Sequence, residues 1–258
     1  ISKGSRMDQV YIPKNREGFS IGSYVILKPL EIKKKKTDEK LYFYNTKEIE
    51  PIKLGIIEDL MASIEIAIHS YENIIITGSF LERGFYFNDI DILVITNEKK
   101  DTKNLQKTIW KKIKIKTHII LIDNKTLIQG LTTDPIYQMM LSKCISKKRF
   151  IYRARRQIDY KILDLHLLKS KSLIENFDML TGNEKYTLTR NMIAITLFLQ
   201  GKKIGKEEID REIEKEFNIK KEQIKQNILE KKDFLKKYKI IYEKTLNKIL
   251  QGIKDGTK

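Results

Sequence analysis

The pattern of apolar and polar residues changes about halfway along the chain. In the first 130 residues, short apolar runs predict strands at 24–28, 41–44, 73–77, 89–95 and 113–122. The first two runs flank a polar stretch at 33–40, which favours a β-hairpin with an exposed tip. Apolar positions near helical period predict two helices in this half, one opening at Pro51 and one across 102–112.

Beyond Asp123 the pattern predicts helices and no further strand. Asp134 followed by Pro135 is typical of a helix start, because Asp accepts from exposed amides and proline suits the first helical position. Helical patterns follow at 136–146, 157–177, 185–200, 206–216 and 220–250. We therefore predict an α/β (α+β) domain over residues 1–130, with an N-terminal β-hairpin, and an all-helical domain over 131–258.

Composition narrows the class of protein. With 258 residues, 41% hydrophobic and 33% charged, the chain is long and apolar enough to bury a sizeable core. Cys144 is the only cysteine and cannot form an intramolecular disulfide, which favours a reducing cytoplasm. No run of about 18 apolar residues occurs, so we expect no membrane span.

The formal net charge of +17 indicates the kind of partner to expect. Such an excess favours a polyanion, because each neutralised phosphate releases counterions. The densest basic stretch has six cations in ten residues and no acid: Lys147, Lys148, Arg149, Arg153, Arg155 and Arg156. We expect RNA to contact these residues. The alternative interpretation is a solvated helix face in a chain rich in Lys and Ile.

Candidate chemistry lies in residues 77–94, where one predicted strand ends and the next begins. Asp89 and Asp91 are two apart on a strand, so their side chains point to the same face and can hold a divalent cation. Gly78 lets backbone amides approach a phosphate closely, and the Ser79 hydroxyl adds a donor. Arg83, in the same loop, has forked donors that suit phosphate oxygens.

These residues resemble the DNA polymerase β superfamily of nucleotidyltransferases. Its members share Gly-Ser, then about nine to thirteen residues, then Asp-x-Asp between apolar residues; here nine residues separate Ser79 from Asp89. The stretch from Gly78 to Gly84 is also similar to the Gly-Ser-x-x-x-Arg-Gly segment of the minimal nucleotidyltransferases. The resemblance covers roughly residues 55–125. It implies a small twisted mixed sheet flanked by helices.

The resemblance also implies an activity: transfer of a nucleoside monophosphate from an NTP, such as ATP, to an acceptor hydroxyl with Mg²⁺ or Mn²⁺. It assigns catalysis and metal binding to Asp89 and Asp91. It assigns nucleotide binding to Gly78, Ser79 and Arg83, with Lys169 and Lys171 as further candidates to close over the triphosphate. RNA, such as a tRNA end, is the acceptor we expect. A small molecule, a protein hydroxyl, or a catalytically silent RNA-binding or regulatory role on the same fold are the alternatives.

One position departs from the family pattern. The family has a third carboxylate on a neighbouring strand, and the matching position here holds His118. His118 is interpreted as a variant metal ligand, a neutral polar substitute or a core histidine. Asp123, the next acid, is expected at the strand end on the opposite face. We predict that the His118 side chain faces Asp89 and Asp91.

Overall fold

The structure, a computed structural model, describes residues 40–256 except Phe150, Arg153 and Ala154. Its first half alternates strands and helices: β1 (Tyr42–Tyr44), α1 (Pro51–Ala67), β2 (Asn73–Thr77), a short 3₁₀-helix (Ser79–Leu81), β3 (Asp89–Ile95), α2 (Thr102–Ile113) and β4 (Lys116–Ile122). Then come α3 (Asn124–Thr133), α4 (Pro135–Leu141), β5 (Cys144–Ser146), α5 (Tyr160–Glu175), α6 (Gly182–Leu199), α7 (Lys206–Phe217), α8 (Lys221–Lys225) and α9 (Lys231–Gly256).

The strands form one mixed sheet in the order β1-β5-β2-β3-β4. β2 pairs antiparallel with β3 and with β5, whereas β3 and β4 run parallel. The crossover from β3 to β4 passes through α2, as a parallel pair requires. The prediction of an α/β region followed by a mainly helical region is confirmed at this level.

Three groups of buried apolar residues hold the fold together. On one face of the sheet, Ile74, Ile76 and Ile92 pack against α1 and α2. On the other face, Ile75, Leu93 and Ile95 pack towards α3 and the end of α4. A third core unites α4 with the helices from α5 to α9. β2 and the second half of β3 therefore bury both faces, which explains why 73–77 and 92–95 read as nearly continuous apolar runs.

The expectation that no strand follows Asp123 was wrong. Three buried residues, Cys144 to Ser146, form β5 between β1 and β2, so 131–258 is not all helical. The predicted helix over 136–146 is accordingly shorter and ends at Leu141. A strand of three residues carries no readable alternation, because period two needs at least four positions to stand out.

The two ends of the described chain follow the predictions only in part. β1 confirms the strand at 41–44, but it pairs with β5, and the expected hairpin partner at 24–28 lies outside the described residues. The single helix expected over 220–250 is two helices, α8 and α9. Asn227, with a φ of 61°, adopts the left-handed conformation that ends a helix.

Among the described residues, no helix is long and apolar enough to cross a membrane.

Candidate active site

Asp91 lies at the centre of a polar group at one end of the sheet. On β3 it is in register with Thr77 of β2 on one side and with His118 of β4 on the other. Asp89 shares its face of the strand, while Ile90 and Ile92 are buried against the opposite face. The structure thus brings the two carboxylates together as predicted. We call Gly78, Ser79, Asp89, Asp91 and His118 the strand-end cluster.

Gly78 presses the turn after β2 against Asp91. Its φ of 89° and ψ of −162° fall in a region that essentially only glycine adopts. A Cβ on Gly78 would overlap the Asp91 carboxylate, so the close approach also requires glycine. Thr77, just before it, is buried and donates from Oγ1 to the carbonyl of Met140 at 2.6 Å. Ser79 follows in the 3₁₀-helix with an exposed side chain.

His118 faces the carboxylates and does not belong to the core. Its Nδ1 lies 3.3 Å from Oδ1 of Asp91, and its side chain is 59% exposed. The core interpretation of this histidine is therefore wrong, whereas a ligand role and a polar substitute role both fit its position. Asp123 lies elsewhere: it caps α3 by accepting from the amide of Thr126 at 2.6 Å. It is not a third carboxylate of the cluster.

The electrostatics of Asp91 suit a cation. Burial raises the pKa of Asp91, the negative charge of Asp89 raises it further, and His118 and Arg190 act in the opposite direction. Within the described ranges, no three His, Cys, Asp or Glu side chains are arranged to hold a metal ion. Two carboxylates still fit Mg²⁺, which proteins commonly hold through one or two carboxylates, with further ligands from substrate phosphates and water.

A cationic group that was not predicted from the sequence lies next to the turn. Glu82, directly after the 3₁₀-helix, accepts from Lys206 of α7 at 2.5 Å and pairs with Lys143 at 3.2 Å. Burial favours a higher pKa for Glu82, but the two lysines outweigh it and the pKa is lowered. Burial lowers the pKa of Lys206, because it disfavours the charged ammonium, and Glu82 opposes that shift. One carboxylate thus lies between two cations that come from distant parts of the chain.

Arg190 of α6 completes this group. Its positive charge helps to lower the pKa of both Asp91 and Lys206, so it lies near both side chains. Its Nε is buried with no hydrogen-bond partner among the described residues, and its guanidinium lies 5.7 Å from the Tyr186 ring centroid. We call Lys143, Arg190 and Lys206 the cationic cluster. Two of these cations share a single carboxylate, Glu82, so the cluster has more donors than Glu82 can accept from, which suits phosphate groups.

Of the remaining nucleotide-binding candidates, Arg83 lies in the loop next to the site, whereas Lys169 and Lys171 lie on α5. Arg83 lies in the loop before β3 with an exposed side chain. Lys169 and Lys171 are both exposed on α5, and Lys171 pairs with Glu175 one turn further along the same helix at 2.9 Å. The structure does not bring either lysine into contact with the strand-end cluster. No signal near Arg190 or Lys206 marked them, because their neighbours at the site are far away in sequence.

The predicted RNA-binding residues are divided by the fold. Lys147 pairs with Glu65 at 2.5 Å, and Lys148 lies 4.5 Å from the Tyr71 ring centroid. Arg156 donates to the carbonyl of Phe198, in the last turn of α6, and to that of Lys202, just after the helix. Arg149 and Arg155 are exposed, and Arg153 lies outside the described residues. The segment 147–156, which we call the basic segment, therefore commits several cations to folding.

Comparison with known proteins adds no relative. No family model, no curated protein and no solved structure matches this chain.

Proposed function

We propose that this protein is a metal-dependent nucleotidyltransferase that transfers a nucleoside monophosphate from an NTP to a hydroxyl of an RNA acceptor. The observation that carries the proposal is the contact of the Gly78–Ser79 turn with Asp91, with Asp89 on the same strand face. A glycine turn that offers amides to phosphate, next to two carboxylates that can hold a cation, joins the two needs of phosphoryl transfer at one point.

In this mechanism each part of the cluster has a separate task. Asp89 and Asp91 would hold Mg²⁺ or Mn²⁺. The bound ion would supply positive charge to the α-phosphate and to the attacking hydroxyl. The turn at Gly78 and Ser79 would bind triphosphate oxygens through N–H and O–H donors. The acceptor hydroxyl loses its proton to solvent, its oxygen forms a bond to the α-phosphorus, the bond between the α-phosphorus and the bridging oxygen breaks, and pyrophosphate leaves with that electron pair.

The cationic cluster supports binding of the triphosphate. Lys143, Arg190 and Lys206 would neutralise the negative charge that develops on the leaving pyrophosphate. Glu82 keeps two of these cations in place in the free protein, since it pairs with both lysines. Arg190 reaches the site from α6, so the sheet and the helices would close on the same nucleotide.

RNA as acceptor is supported by charge. The chain carries a formal net charge of +17, and Arg149 and Arg155 are exposed in the basic segment. A small-molecule or protein acceptor would need the strand-end cluster but not these exposed cations. The choice between the acceptors therefore depends on RNA binding and its response to salt.

A second candidate function is a nucleotide-binding regulatory protein without catalysis. It is favoured by His118, which stands where the family has a third carboxylate and lies 3.3 Å from Asp91. Such a protein would bind an NTP through the same turn and cationic cluster but would not turn it over.

The decisive experiment incubates the full chain with each α-labelled NTP, Mg²⁺ or Mn²⁺, and total RNA. We expect label to enter RNA with at least one NTP, and Asp89→Asn or Asp91→Asn to reduce the rate about 100-fold or more. Loss of a metal ligand removes several kcal/mol of charge stabilisation, and each tenfold in rate is about 1.4 kcal/mol.

The matched control is Asp123→Asn, because Asp123 is an exposed helix cap and asparagine caps equally well. This variant should keep the wild-type rate, and all three variants should melt near the wild-type temperature. Wild-type turnover in both cluster variants would refute the site. Binding of NTP at equilibrium, with no label transferred to any acceptor, would establish the silent protein instead.

A further inference from the structure

The loop from Glu82 to Asn88, between the 3₁₀-helix and β3, exposes two adjacent aromatic rings. Tyr86 is 97% exposed and Phe85 is 58% exposed. Single exposed apolar residues are common, but neighbouring aromatic rings on one short loop indicate a binding surface. We call residues 82–88 the aromatic loop.

The backbone of this loop is fixed from below by a buried lysine. Lys53 of α1 is fully buried, and its ammonium donates to the carbonyls of Glu82 at 2.5 Å and Gly84 at 2.6 Å. Glu50 pairs with Lys53 at 2.9 Å and accepts from the amide of Gly84 at 2.6 Å. Burying an ammonium is costly unless its donors are satisfied, so these contacts bind the loop firmly to α1.

Aromatic contacts fix the inner side of the loop. Phe87 packs edge-on against the buried Phe80, with ring centroids 4.9 Å apart. The Lys53 ammonium lies 5.3 Å from the Phe85 ring centroid. Tyr86 lies between Phe85 and Phe87 in the chain and is directed to solvent. A loop held in this way presents the Tyr86 ring at little further cost in conformational entropy, which favours binding.

The aromatic loop is close to the strand-end cluster and is flanked by cations. Tyr86 precedes Asp89 by three residues, so their Cα atoms are at most about 11 Å apart. Arg83 is exposed in the same loop, and the exposed Lys116 at the start of β4 is in register with Asp89. Aromatic rings interleaved with cations are the combination that single-stranded nucleic acids bind, through stacked bases and neutralised phosphates.

We infer that Tyr86 and Phe85 form a stacking platform for an unpaired base at the acceptor end of a single-stranded RNA. Arg83 and Lys116 contact the adjoining phosphates. Every base has a π-face, so the platform tolerates all four bases and selects single strands over duplexes. The inference deepens the proposed function, on whose RNA acceptor it rests, and it places the end of the strand beside Asp89.

The test measures binding without NTP or added metal, so that it does not depend on transfer. Anisotropy of a 5′-labelled single-stranded RNA is compared for wild type, Tyr86→Ala and Tyr86→Phe. Stacking on one aromatic ring corresponds to about 5- to 150-fold in affinity, so Tyr86→Ala should weaken binding by that factor. Tyr86→Phe keeps the ring and should stay within about twofold of wild type.

The matched control variant is Phe43→Ala. Phe43 is also exposed, at 46%, but it lies on β1 at the opposite edge of the sheet from β4, and its removal should leave RNA binding unchanged. An RNA whose 3′-terminal nucleotide lacks its base should bind wild type as weakly as intact RNA binds Tyr86→Ala. The Tyr86→Ala variant should bind both RNAs equally, because the stacked pair is already broken.

Three outcomes would overturn the platform: equal RNA affinity for wild type and Tyr86→Ala, an equal loss in Tyr86→Phe, or no RNA binding at low salt. Failure of the platform and failure of the proposed function are distinguishable. Tyr86-dependent binding without transfer keeps the platform and refutes the transferase. Transfer to RNA with normal binding by Tyr86→Ala keeps the transferase and refutes the platform.

Discussion

The strand-end cluster and the basic segment are the two polar regions that stand out in this protein, and the fold treats them differently. In the cluster, Asp89 and Asp91 lie together although their charges repel, and that repulsion helps to raise the pKa of Asp91. In the basic segment, Lys147 and Arg156 are turned inwards to satisfy Glu65 and the end of α6. Charges of the same sign that are held close together favour a binding site for a ligand of the opposite sign. Charges that form ion pairs or hydrogen bonds within the protein instead stabilise the fold.

The cationic cluster combines both kinds, since Glu82 pairs with two of its three cations. Lys143 and Lys206 share a single carboxylate, Glu82, and Arg190 keeps a buried Nε without a partner in the described part of the chain. A buried donor left unpaired costs about 1–3 kcal/mol, so its persistence supports a ligand that would accept from it. The comparison therefore shifts the expected nucleotide contacts from Lys169 and Lys171 to these three residues.

The sharpest way to break the strand-end cluster without changing a charge is Gly78→Ala. The added methyl would displace the Asp91 carboxylate and would strain a backbone with a φ of 89°. A displacement near 1 Å costs about 100-fold in rate, so we expect at least that loss in the transfer assay. We also expect about 1–3 kcal/mol lower unfolding free energy in urea.

Gly55→Ala provides the comparison for that variant. Gly55 lies inside α1, and a Cβ there meets nothing within 4 Å. Alanine should therefore raise the unfolding free energy by up to about 1 kcal/mol and leave transfer unchanged. Normal activity in Gly78→Ala would show that the close approach of the turn to Asp91 has no catalytic role.

Two neighbouring arginines of the basic segment should separate folding from binding. Arg156→Ala removes two hydrogen bonds to carbonyls at the end of α6 and a contact with the Phe198 ring. We expect a loss of about 1–3 kcal/mol in unfolding free energy, measured by urea denaturation. Arg155 is exposed, so Arg155→Ala should change stability by less than about 0.5 kcal/mol.

Arg155→Ala should instead act on RNA. If this residue neutralises one phosphate, the slope of log affinity against log salt flattens by about 0.7 for single strands and 0.9 for duplex. Anisotropy titrations at several salt concentrations measure that slope. An unchanged slope in Arg155→Ala would show that Arg155 contacts no phosphate. A flatter slope in Arg156→Ala, with wild-type stability, would show that Arg156 binds RNA and does not support the fold.

The smallest expected effect concerns Glu50, which holds the aromatic loop from outside the strand-end cluster. Donation from the Gly84 amide, then from Lys53, lowers the pKa of Glu50 from 4.5 to about 2. A carboxyl with a lowered pKa contributes stability that is present above pH 4.5 and is lost as pH falls towards 2. The stability difference between wild type and Glu50→Gln should therefore be constant above about pH 5 and shrink below it.

This difference is obtained from the urea midpoints of the two proteins, measured at intervals between about pH 3 and pH 7. The contributions of the other carboxylates are the same in both proteins and cancel. Glu48→Gln is the matched control, because Glu48 is exposed two residues earlier. A difference between wild type and Glu50→Gln that does not change with pH would show that Glu50 does not hold the loop through its charge.

Local spacing accounts for the parts of the site that were predicted. Asp89 and Asp91 share a face because side chains alternate along any strand, and Gly78 follows directly after the apolar run of β2. The position of His118 beside Asp91 also follows once β3 and β4 are parallel neighbours in register. The same logic predicted helices such as α1, α2 and α7 close to their observed ends, since each carries apolar residues at helical period.

Tertiary structure alone decided the rest. β5 is a strand because the sheet offers it two partners, β1 and β2, and three residues have no pattern of their own. Lys206 meets Glu82 across 124 positions of the chain, and Arg156 meets Phe198 across 42, so no local rule could pair them. The sequence by itself determined which residues can act together along one strand or turn. Packing determined which charges are satisfied within the fold and which are left for a ligand, because a charge finds its partner through space and not along the chain.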